Sequence, residues 1–132
     1  MEIQSIENEL ASLKQQGEIF HDNIKTVSNT IKQLEDILIK LNINIPFECQ
    51  ASEDLLFIWD TNTKRNGFRL LVQYKEAGTD GEIVMHNKPI DELPLRVRLA
   101  IFKHLPYFIN DFTTFLDEYN QKIQIVIKEA QL

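Results

Sequence analysis

Ile3, Ile6, Leu10, Leu13, Gly17, Phe20, Ile24, Val27, Ile31, Leu34, Leu38 and Leu41 follow one another in alternating steps of three and four, without a slip. Eleven of these twelve positions are apolar. That spacing places them on one stripe of a helix and matches a coiled-coil seam, with Ile3, Leu10, Ile24, Ile31 and Leu38 at a and their partners at d. The single defect, Gly17, costs roughly 1 kcal/mol relative to alanine. A turn has no reason to preserve heptad phase, and here the phase runs straight across the glycine. The pattern therefore predicts one helix from about Glu2 to Leu41.

Length turns this pattern into a constraint on assembly. Some 40 helical residues span about 60 Å, whereas a globule made from the other ~90 is about 30 Å across. So small a body cannot cover the whole stripe, and the projecting part needs a second helix, most simply from another copy of the chain. β-branched residues at a with leucine at several d positions favour a dimer. The e and g positions, among them Glu7, Lys14, Ser28 and Glu35, form no complementary charge ladder that would set helix orientation. The competing arrangement folds the helix onto the chain's own C-terminal helix, as in a bundle.

After Leu41 the pattern changes. Pro46 cannot continue the helix, and Asn42 and Asn44 suit a cap or turn. Phe47, Cys49 and Ala51 alternate with polar residues, which permits a short strand. Leu55–Trp59 is apolar on both faces, as in a strand covered on both sides. Phe68, Leu70, Val72 and Tyr74 alternate with Arg69, Gln73 and Lys75, and a further strand follows over 82–86. The expectation is a three-stranded antiparallel meander within residues 47–88.

The C-terminal third opens on Pro94, suited to a helix start. Leu95, Leu99, Phe102, Leu105, Ile109, Phe112, Leu116, Tyr119, Ile123 and Val126 keep helical spacing, and Ile101, Phe108 and Phe115 broaden the stripe. Its width predicts packing against both a sheet and another helix, with the aromatic side chains as core. Pro106 lacks an amide hydrogen, so the segment is expected to form two helices, kinked near His104. The fold class is α+β: an oligomerisation helix over 1–42 and a compact domain over 43–132, with helices across about 93–130.

Function classes are narrowed mainly by exclusion. A net charge of −6 disfavours a protein held on nucleic acid by phosphate neutralisation. No apolar run reaches the ~20 residues needed to cross a bilayer, and the first ten residues lack a secretory layout. A single cysteine, Cys49, gives neither an internal disulfide nor a thiolate metal cluster, and a cytoplasmic setting fits. There is no phosphate loop, nucleophile elbow or His-Glu-x-x-His, and no cofactor is implied.

Three places invite a functional reading. Lys64 and Arg65, with Trp59 and Arg69, could form a small anion or nucleic-acid contact, although Asn66-Gly67 makes Asp60–Gly67 a sufficient hairpin tip without one. His86 with Asp91 or Glu92, and Arg96 nearby, could form an enzyme site between sheet and helix. The third is the heptad seam. It supports a non-catalytic interaction or adaptor protein that homodimerises and binds another protein.

Overall fold

The computed structural model describes residues 2–62 and 67–131. In chain order they form α1 (Glu2–Lys40), β1 (Phe47–Ser52), β2 (Leu55–Asp60), β3 (Arg69–Ala77), β4 (Ile83–Pro89), a 3-10 turn (Ile90–Glu92) and α2 (Leu95–Ala130). The fold is α+β. The four strands make one antiparallel sheet in the order β1-β2-β3-β4, and both helices pack on the same face of it.

α1 runs unbroken through Gly17, as the constant heptad phase requires. It ends where Asn42 takes a positive φ of 53°, a conformation asparagine tolerates better than most residues. The amides of Asn42 and Ile43 donate to the carbonyls of Ile39 and Leu38 and so satisfy the end of the helix.

The sheet has four strands, not the expected three. β1 pairs with β2 from Phe47↔Trp59 to Gln50↔Leu56, with a register shift before Ser52. Only Glu53 and Asp54 separate the two strands, so the hairpin closes locally and turns Phe47, Cys49 and Ala51 towards the core. Leu55, Phe57, Trp59, Leu70, Val72 and Tyr74 line the same inner face. The second face is open, which corrects the reading of β2 as covered on both sides. Leu56 and Ile58 there are half-buried, and Leu71, paired with Ile58, is buried by its sheet neighbours.

α2 is one helix of 36 residues with Pro106 inside it, not two helices meeting at a kink. Pro106 and Phe102, whose carbonyl loses the i+4 amide, are both exposed, so water can reach the freed carbonyl. Leu105 and Phe108 on either side of the proline are held in the core. The face packed on the sheet is Val97, Ile101, Leu105, Phe108 and Phe112. Leu99, Phe102 and Ile109, expected in the buried stripe, are exposed.

α1 contributes Val27, Ile31 and Leu38 to this core, with Leu34 packed against it. One chain-wide core therefore crosses residue 42, and the last part of α1 belongs to the body. Glu35 lies among these residues and is buried. β4 follows β3 only as far as Leu71↔Pro89, which leaves the next amide, that of Leu70, without a strand partner on that side. Leu70 N–H donates to Glu35 Oε2 at 2.8 Å, while Lys32 Nζ donates to Oε1 at 2.9 Å. That hydrogen bond and the carboxylate charge hold the Lys32 ammonium above the usual lysine range. Glu35→Ala orphans a buried amide and is expected to cost about 1–3 kcal/mol. Glu35→Gln keeps an acceptor and should cost less; equal losses in urea unfolding would show that the acceptor is not what matters.

Candidate functional site

α1 and α2 run side by side in the same direction. Arg98 NH1 donates to Ser28 Oγ at 2.9 Å near the start of α2. Further along, Leu34, Ile37 and Leu38 face Leu105, Ile109, Phe112 and Leu116 across a shared groove. Parallel packing leaves the helices offset. α1 has some 25 residues before it meets α2, and α2 has some 15 after α1 has ended.

Both overhanging segments carry unpartnered apolar stripes. From Glu2 to Asn23 every residue except Gly17 is exposed. Ile3, Ile6, Leu10, Leu13 and Phe20 are each between 51 % and 73 % exposed. From Asp117 to Gln131 all residues are exposed, including Tyr119, Ile123 and Val126 at helical spacing. The groove between the helices, about 320 Å³, is walled mainly by aliphatic and aromatic side chains. The tails and the groove together make an apolar surface larger than isolated exposed residues account for.

The heptad seam is thus split. Val27, Ile31 and Leu38 are buried within their own chain, with Leu34 partly buried beside them. Ile24 is half-buried at the boundary. Ile3, Ile6, Leu10, Leu13 and Phe20, together with Leu41 beyond the end of α1, remain on the surface.

The polar candidates are dispersed. Trp59 is fully buried and its indole N–H donates to the Ile43 carbonyl at 2.7 Å, so it is a core residue and not a stacking surface. Arg69 pairs with Asp60 at 3.5 Å. Lys64 and Arg65 lie outside the described residues. His86 pairs with Glu76 at 3.2 Å, not with Asp91, and stacks on Tyr74 with ring centroids 5.1 Å apart. Arg96 reaches the other Glu76 oxygen at 3.5 Å. This network sits on the sheet with Glu76 and Arg96 well exposed, where ion pairs contribute little. Asp91 instead lines a separate cleft of about 300 Å³ with Ser28, Asn29, Lys32 and Arg98. Among the described residues no group of three or more His, Cys, Asp or Glu side chains could hold a metal.

Cys49 is buried in the core. Burial, then a hydrogen bond and charge from Asp111, push its thiol up to about 11 from an ordinary 9.0. A thiol that remains protonated is a poor nucleophile, and Cys49 is expected to resist labelling at about pH 8 until the protein unfolds. Because its folded pKa is the higher one, its contribution to stability is complete below pH 9 and is lost as the pH rises through about 11. Rapid labelling of the folded protein would place the thiol at the surface.

The α2 tail is the surface that sequence reasoning missed, because its stripe was read as core. The available signal was length. Thirty-six helical residues span about 54 Å, while even the nine-residue β3 covers only about 30 Å. Comparison with protein-family models, with curated proteins and with solved structures found no significant match.

Proposed function

We propose that this chain is a non-catalytic interaction protein that self-associates through the first part of α1. The observation that carries the reading is the unpartnered stripe Ile3, Ile6, Leu10, Leu13 and Phe20 on a helix projecting beyond the core. Burying one leucine or isoleucine side chain yields about 1.5–3 kcal/mol, so five such residues on each chain provide ample driving force for a dimer. The outer sheet face, where Leu56 and Ile58 are half-buried, is then the surface left for a partner protein. Among the described residues no helix is long and apolar enough to cross a membrane.

Light scattering on a sizing column, over a tenfold range of concentration, tests the reading. A mass of twice 15.5 kDa is expected throughout. A mass of one chain at every concentration would remove the proposal.

A further inference from the structure

We infer that the occupant of the α1 stripe is the α2 tail of a second copy, in a closed two-fold dimer that pairs each α1 overhang with its partner's Tyr119–Val126 stripe. This rests on the self-association proposed above and names the segment that completes it.

The argument begins from the offset of the helices. Because α1 and α2 are parallel, their bare segments leave the body at opposite ends. A two-fold axis perpendicular to the helices sets a second helix pair beside the first in the reverse sense. Each α1 overhang then runs beside the partner's α2 tail, antiparallel to it. Two-fold association of this kind is closed and uses each surface once.

Pairing two α1 overhangs with each other fits less well on two counts. It leaves Tyr119, Ile123 and Val126 uncovered. It also brings together two strongly acidic segments: residues 2–24 carry Glu2, Glu7, Glu9, Glu18 and Asp22 against Lys14 alone. The α2 tail, with Asp117, Glu118 and Glu129 against Lys122 and Lys128, carries a net charge of only −1. An acidic helix lying beside it meets less like-charge repulsion. The apolar seam of the exchanged pair also continues directly from the groove that already joins α1 to α2.

The test uses the full chain with two double variants, Leu10→Glu/Leu13→Glu in α1 and Ile123→Glu/Val126→Glu in α2. All four side chains are exposed in the single chain, so the core is untouched, and far-UV circular dichroism verifies folding. Each variant is expected to weaken dimerisation more than about 1,000-fold and to run as a monomer. Mixing the two variants should restore a dimer, because one of its two junctions then contains only wild-type stripes.

The other results are decisive in the opposite direction. A dimeric α2 variant beside a monomeric α1 variant keeps self-association through α1 and overturns the exchange. Failure of the mixture to dimerise also overturns it, since pairing of like with like leaves no intact junction in a mixed dimer. Growth to ever larger species with concentration overturns the closed two-fold arrangement. A monomeric wild-type protein, or dimers from both variants separately, overturns the exchange and the proposed function together.

Discussion

Replacing Phe108 with alanine is expected to remove about 3–5 kcal/mol of folding free energy, a large part of the ~5–15 kcal/mol available to a typical domain. The ring is completely buried. It stacks on Phe57 with centroids 4.7 Å apart, and meets Phe112 edge-on at 5.8 Å and Phe47 at 6.1 Å. Phe108 therefore ties α2 to two strands at once. It also walls the interhelical groove, so truncation opens a path from that groove to Phe57. Phe108→Leu keeps most of the volume and should cost less than about 1.5 kcal/mol. Urea unfolding measures both. A loss below 1 kcal/mol for the alanine variant would mean that α2 does not seat on the sheet in this register.

Pro106→Ala is expected to act in the opposite direction, adding about 2 kcal/mol. Proline inside a helix costs roughly 3 kcal/mol relative to alanine, and alanine would regain the hydrogen bond from residue 106 to the Phe102 carbonyl. Against this, the unfolded chain gains freedom worth about 0.4–1 kcal/mol. No packing is lost, because Pro106 is exposed. A higher midpoint in thermal or urea unfolding is the expected result. Destabilisation by this substitution would show that the proline ring makes a contact on which the helix depends.

These two residues also mark where the sequence was informative and where it was not. The steric rule for proline predicts a break at residue 106. It was overridden by residues within two turns on either side, Ile101, Leu105, Phe108 and Phe112, whose burial against the sheet holds the helix on course. Heptad phase correctly carried α1 through Gly17, because a repeat is a property of the whole segment and survives one poor residue. The inner face of α2 was harder to read. Apolar residues occupy two sides of that helix, and only the position of the sheet distinguishes Val97 and Ile101 from Leu99 and Phe102.

Glu35 could not be recognised in advance at all. In the heptad it takes an e position, ordinarily a solvated one, and the amide it accepts lies 35 residues away. That amide is unpaired only because β4 turns off at Pro89, a property of sheet register that no local pattern records. For the candidate site, the α1 stripe was legible as periodicity, but the division between residues kept by the body and residues left over was not. That boundary, near Ile24, is set by where α2 begins.

The hydrogen bond between Ser28 and Arg98 joins residues 70 positions apart, and this separation has a consequence during synthesis. At ~5–20 residues per second, α1 emerges from the ribosome roughly 4–14 s before the helix that packs beside it exists. The strands follow one another as hairpins and can pair as they appear, whereas Val27, Ile31 and Leu38 must wait for the last segment of the body. During those seconds α1 can engage only the strands, as Glu35 does at the Leu70 amide, and its side towards α2 stays uncovered. Order of synthesis therefore makes the seating of α2 the step that completes the core.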